Sequence, residues 1–244
     1  MIDESDALRA PEKAVQPDSR TLALVRVNRL TGEVRRTSLD DQHRTVVGFQ
    51  LNASVPEEIG IHFETAKNLY LYAWFVYRFY PVAEQQVLAT LEFALRLRQD
   101  KFVQEYKSKH RFGHEPGLGT VLKKAIADGL VRNDAFPQRQ EWALRRARSR
   151  FEYEQIEKMH REGLQEMIVD DSGVVATEED LNYDWLGTFL DTIPFLRNTY
   201  AHGSEMLVST VLHSFDVVNS IINQLYPVGF QQMAEPRSEN EVPH

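Results

Sequence analysis

From Ile61 to Tyr80 the chain is apolar on nearly every side of a helical wheel, through Tyr70, Tyr72, Trp74, Phe75 and Phe79. A helix of that kind has no face to give to water and must be enclosed by others. Three further stretches supply partners. Leu88, Leu91 and Leu95 make one apolar face, and Leu186, Leu190 and Ile193 make a second. Val208, Val211, Phe215, Val218, Ile222 and Leu225 alternate steps of three and four residues, the seam of a helix packed in a bundle. The expectation is a mainly α protein, with a helical bundle over residues 56–228. Pro81 either kinks the first helix or opens a second one at its first position.

The remaining segments are less regular. Phe102–His110 and Thr120–Leu130 read as short helices on either side of a Gly/Pro loop, Gly113–Gly119. Pro137–Met167 reads as a long, charged helix with one wide solvent-facing side, anchored by Trp142, Leu144, Phe151, Ile156 and Met159. Asp170–Gly173 is a turn flanked by short β-prone pieces, and Thr177 followed by Glu178, Glu179 and Asp180 is a helix start. Ahead of the bundle, residues 1–20 are polar and charged and are expected as a disordered tail. Residues 21–55 are β-rich. Thr21–Val27 and Val34–Leu39 predict a hairpin around a Thr-Gly turn, and Val46–Leu51 predicts a third strand. Pro227 stops the last helix, and residues 229–244 are expected as a flexible tail.

Composition narrows the function. Cysteine is absent, so disulfides, thiolate metal sites and cysteine nucleophiles are excluded. The first sixteen residues are charged and carry no apolar signal-peptide core, and the most apolar run, Leu69–Tyr77, falls far short of the ~20 residues that span a bilayer. A cytoplasmic protein without a membrane partner is expected. The formal net charge of −8 argues against a general nucleic-acid binder, so any RNA contact has to be local.

Chemistry is concentrated between the last two helices, in Pro194-Phe-Leu-Arg-Asn-Thr-Tyr-Ala-His-Gly203. Arg197 falls four residues after Ile193, so its guanidinium leaves the helix on the apolar face, an odd place for a solvated charge. Gly203 and Ser204 break one helix and cap the next. That leaves His202 in the turn or in the first turn of the last helix, able to share a cleft with Arg197. Two other Arg–His spacings occur, Arg36 to His43 and Arg237 to His244. Only Arg197 to His202 has Asn beside the Arg, Gly after the His and a bundle helix on each side.

The string Leu196-Arg-Asn-Thr-Tyr-Ala-His-Gly203 resembles the signature of the HEPN superfamily, the higher eukaryote and prokaryote nucleotide-binding domains. The resemblance implies an antiparallel helical bundle and, for many members, a metal-independent RNase whose active site forms across a homodimer. It implies two Arg197/His202 pairs facing each other across a two-fold axis, and for toxin or antiphage members a cognate antitoxin or regulatory protein. The residues suit that chemistry. Metal-free RNA cleavage needs a group titrating near neutral pH to move protons at the 2′-hydroxyl or the leaving oxygen, which His202 supplies. It also needs a fixed cation at the scissile phosphate, and the Arg197 guanidinium grips two oxygens at once. Asn198 either orients these groups or caps the helix, and Tyr200 either stacks on a base or packs. The alternative is a non-catalytic module binding a nucleotide or a protein, with Arg197 and His202 structural.

Members often add a polar or acidic residue from an earlier helix. Glu84, on the face of Leu88, Leu91 and Leu95, and Glu92 beside that seam are the candidates. For RNA backbone the densest basic cluster is Arg139, Arg145, Arg146, Arg148 and Arg150, interleaved with Trp142 and Phe151; Arg145 and Arg146 are the named RNA-binding candidates. A solvated face balanced by Glu141, Glu152 and Glu154 is the competing account. His110 and His114 are four apart, but Gly113 and Pro116 interrupt the helix that would align them and no third ligand is evident, so no metal is assigned. Gly117–Val121 before Lys123 and Lys124 lacks a phosphate-loop pattern and reads as a plain helix start. No cofactor is implied.

Overall fold

The computed structural model describes residues 4–28, 31–201 and 210–230, without the side chains of Glu4, Arg111 and 194–201. The described part is mainly helical, with one two-stranded antiparallel sheet. Strands β1 (Val25–Val27) and β2 (Val34–Arg36) lead to α1 (Leu39–Val47), and the helical body begins with α2 (Glu57–Tyr72) and α3 (Phe79–Arg98). Then come α4 (Asp100–Lys109), α5 (Leu118–Ala127), α6 (Arg139–Glu162), α7 (Glu178–Leu181), α8 (Trp185–Ala201) and α9 (Leu212–Leu225).

The helix expected to run from Ile61 to Tyr80 is two helices. Pro81 has no N–H for the Tyr77 carbonyl that a continuous helix would bond, and a second influence comes from outside the segment. Asp18, fully buried, donates its amide to the Trp74 carbonyl (3.0 Å) and accepts from the Tyr77 amide (3.2 Å) through its carboxylate. Pro81 then sits in the first turn of α3, where a missing N–H costs nothing. The returning helices pack antiparallel, with Tyr70 on Tyr80 (ring centroids 5.3 Å) at one end and His62 on Phe93 (5.4 Å) toward the other. Helix α9 lies parallel to α3, because Ser214 meets Glu84 near their starts and the Tyr226 hydroxyl meets the Ala94 carbonyl (3.2 Å) near their ends. From α9, Phe215 enters the middle of the core, fully buried against the rings of Phe49, Phe63 and Tyr70 at 6.0, 6.3 and 5.9 Å.

Val46–Leu51 does not form the expected third strand. Ser38 accepts from the Asp41 amide and Asp41 accepts from the Ser38 amide, a capping box that starts α1. The β-branched Thr45, Val46 and Val47 follow it into the helix, where Val46 is buried. The hairpin itself is present but shorter than expected, with Arg26 opposite Arg35 and Val27 opposite Val34. No described strand flanks the turn at Ser172–Gly173.

Peripheral segments are fastened by buried aspartates held by arginines. Asp18 takes Arg20 (2.9 Å) and Arg9 (3.4 Å), while the half-buried Asp6 takes Arg78 (2.7 Å) and Arg20 (2.8 Å). Residues 4–20, expected as a tail, are thereby tied to the α2–α3 turn. Asp180, fully buried at the head of α7, is held by Arg150 through both oxygens (2.7 and 2.8 Å) and by Arg146 (3.1 Å), which ties α7 to α6. The last carbonyls of α9 are closed by Asn52, Ser54 and Arg98. No described helix is long and apolar enough to cross a membrane.

Candidate functional site

Helix α8 starts where two side chains answer its first amides. Asp184 accepts from the Gly187 amide (2.9 Å) and Asn133 from the Leu186 amide (2.9 Å), with Asn133 also donating to Asp184 (2.7 Å). A side chain at 187 would push the Asp184 carboxylate out of its present position over the first amides of the helix. Leu186, Phe189 and Ile193 are buried in the core, and the helix continues unbroken through Ala201. Arg197, Asn198 and Tyr200 therefore lie in its last two turns. Their side chains are outside the described set, and His202 lies outside the described residues.

The chain is described again from Thr210, and the head of α9 carries a polar cluster. Ser214 donates its hydroxyl to the Glu84 carboxylate, and both residues are buried. This separates the two acids that the sequence left open. Glu84 faces the head of α9. Glu92, two turns along α3, is ion-paired with Arg96 (2.5 Å), which also holds Glu115 (2.8 Å) and the Pro116 carbonyl (2.8 Å). Glu92 thus belongs to the fastening of the loop before α5.

Beside Ser214, the His213 ring rests edge-on against Trp142 (5.8 Å). Desolvation pulls its pKa below the ordinary imidazole value, with Asp216 opposing that shift. Burial pushes the Asp216 carboxyl above the usual carboxylate range, against the hydrogen bond from Trp142, and Gln138 also donates to it (2.7 Å). Gln138 in turn accepts from Ser220 (3.1 Å). Both shifts run toward the neutral forms, as expected of a His and an Asp packed into a largely apolar helix face. The sequence reading missed His213, Asp216 and Gln138. The only local signal was the run of polar residues His213, Asp216 and Ser220 at three- and four-residue spacing inside an apolar helix.

The basic cluster on α6 is largely consumed. Arg145 is exposed and paired with Glu141 (2.7 Å). Arg146 binds Asp180 and Glu179 (both 3.1 Å) with its guanidinium 4.1 Å over the Tyr183 ring. Arg148 pairs with Asp171 (3.4 Å), and Arg139 donates to the Leu181 carbonyl (2.6 Å) and to Asn182 (2.8 Å). The balancing acids come mainly from the segment leading into α8 rather than from Glu152 or Glu154. The His110 ring stacks on Tyr106 (3.7 Å), and among the described residues no group of three His, Asp or Glu side chains is arranged to hold a metal.

Compared with known proteins, the chain matches no family model, no curated protein and no solved structure.

Proposed function

We propose that the chain is a metal-independent endoribonuclease of HEPN type, working in the cytoplasm as a homodimer and belonging with toxin or antiphage proteins held in check by a cognate antitoxin or regulatory protein. His202 acts as acid and base, and Arg197 clamps the scissile phosphate with Asn198 as orienting neighbour. The 2′-hydroxyl attacks phosphorus, its proton leaves to a base, and the 5′ oxygen departs with a proton, giving 2′,3′-cyclic phosphate and 5′-hydroxyl ends. The reading is carried by the α8–α9 junction. The Arg-Asn-x3-His string begins in the last turns of a core helix, and the following helix seats Ser214 on the buried carboxylate of Glu84.

A second reading, a non-catalytic module that binds a nucleotide or a protein, draws support from the net charge of −8 and from the pairing of the α6 arginines with acids. The deciding experiment is cleavage of a mixed tRNA and single-stranded RNA pool in EDTA by wild type and His202→Ala, with end-group analysis. Cyclic-phosphate ends made by wild type alone are expected. Cleavage that survives His202→Ala with the fold intact, or that EDTA abolishes, refutes this mechanism.

A further inference from the structure

Strand pairing sets Arg26 directly opposite Arg35, with both side chains on the same face of the hairpin. Like charges opposed in this way repel, and this chain resolves the conflict with one buried acid. Asp41, 1% exposed, receives Arg35 (2.5 and 2.8 Å), Arg44 (2.8 Å) and Arg26 (3.4 Å), and it also closes the Ser38 capping box. The three guanidinium side chains remain 50%, 68% and 49% exposed respectively. The carboxylate is hidden and the cations are not, so solvent meets three guanidiniums against one neutralised charge.

Residues 26–44 carry five arginines (26, 29, 35, 36, 44) against Glu33, Asp40 and Asp41, a net of +2. In a chain of net −8 this leaves −10 for the rest. Arg26 and Arg35 line an open cleft with Val27, Asn28 and Glu33. On the other face the exposed Arg36 makes no side-chain ion pair among the described residues.

The cluster lies at the same end of the bundle as the start of α9. Gln42, the residue after Asp41, donates to the Tyr70 carbonyl (2.6 Å) and accepts from the Tyr80 hydroxyl (2.9 Å). The Tyr70 ring touches Phe215, whose neighbour Ser214 holds Glu84, one turn beyond Tyr80. The α6 arginines, by contrast, are matched by acids.

We propose that the arginine cluster where the hairpin meets α1 is the docking surface for the phosphate backbone of a single-stranded RNA. Arg26, Arg35 and Arg44 make the contacts and lead the strand toward the head of α9. This rests on the ribonuclease reading and adds to it the place where substrate is held. Guanidiniums already oriented by a shared carboxylate lose little freedom when phosphate oxygens take their outward N–H groups.

The test uses the full chain and a 20-nucleotide RNA that is 2′-O-methylated to block cleavage, with binding measured across a salt series. Arg26→Gln/Arg44→Gln keeps Arg35 on Asp41, and Lys101→Gln/Lys109→Gln on α4, which follows the far end of α3, serves as control. The hairpin variant is expected to bind about tenfold more weakly, with a salt slope shallower by about 1.4, two single-strand phosphate contacts. Its melting temperature should match that of the control variant. With cleavable RNA it should raise KM and leave kcat unchanged. Equal affinity and slope in the hairpin variant and wild type overturn the assignment and leave this face to an acidic protein partner. In that case the ribonuclease reading still stands or falls on wild-type cleavage. A wild type that does not bind the oligonucleotide at all also overturns the assignment.

Discussion

Replacing Ser214 by alanine removes one hydroxyl from the contact that sets α9 against the start of α3. Ser214 and Glu84 are 5% and 6% exposed, so water cannot take the place of the lost donor. A hydrogen bond to a charged group is worth about 1.5–3 kcal/mol, against about 0.5–1.5 for a neutral one. In a chain of this size each kcal/mol moves the melting temperature by about 2–4 °C, so Ser214→Ala is expected to lower it by about 3–12 °C. The mechanism predicts more than the loss. In a Glu84→Gln background the acceptor is neutral, and Ser214→Ala should then cost about 1 kcal/mol less than in the wild type. Urea titrations of the four proteins at pH 7, with calorimetric melts as a check, measure the cycle. Costs that add to within about 0.5 kcal/mol would refute the claim that a charge-assisted bond seats the last helix.

Phe215→Ala is expected to cost about 3–5 kcal/mol, because a fully buried ring touching three other rings leaves a cavity that rigid helices cannot fill; a urea midpoint within error of wild type would contradict the central position given to α9. Stability should also fall in acid. The Arg35 guanidinium holds the Asp41 carboxyl, and the Arg150 guanidinium the Asp180 carboxyl, well below the usual range. A lowered carboxyl contributes stability that is complete above its unfolded value near ~3.9 and is lost as pH falls toward its folded value. Urea midpoints are therefore expected to hold from pH 7 to about 5 and to drop below about 4, with a shallower drop in Asp180→Asn; the same drop in that variant would refute the assignment.

The helices were readable because their apolar spacing is local, and α3, α4, α6, α8 and α9 begin or end within a few residues of where periodicity puts them. What escaped the sequence is what depends on partners far along it. The α2–α3 break is announced in part by Pro81, which reads as a kink or the start of a second helix; what the sequence does not show is that Asp18, 59 residues before Tyr77, holds the turn ahead of it. In α1 two local signals disagreed, Ser38 with Asp41 for a helix and Thr45-Val46-Val47 for a strand, and the capping box prevailed with Gln42 anchored on Tyr70 and Tyr80. Glu84 could be named because it shares a face with Leu88 and Leu91, whereas its separation from Glu92 required knowing where α9 lies. The partners of Arg146 were not legible because its acids, Asp180 and Glu179, arrive more than thirty residues later. The hairpin arginines were passed over for the opposite reason. Spread over two strands and a helix they form no run, and only strand register and one shared aspartate gather them.

The parallel seating of α9 on α3 bears on how the protein is made. Phe215, Val218, Ile221 and Ile222 fill the space between helices synthesised more than a hundred residues earlier, and Asn223 and Tyr226 reach back to Asn52 and Ser54. Until the ribosome has delivered that last helix, α2 and α3 have no lid for their inner faces. The closing contacts are also among the most distant in sequence, the kind that form slowly. A prematurely terminated chain would hold the arginines and the hairpin yet expose an apolar trough, marking it for chaperones and proteases. Delivery of α9 is thus the step that closes the core over α2 and α3, and the helices made before it stay incomplete until it docks.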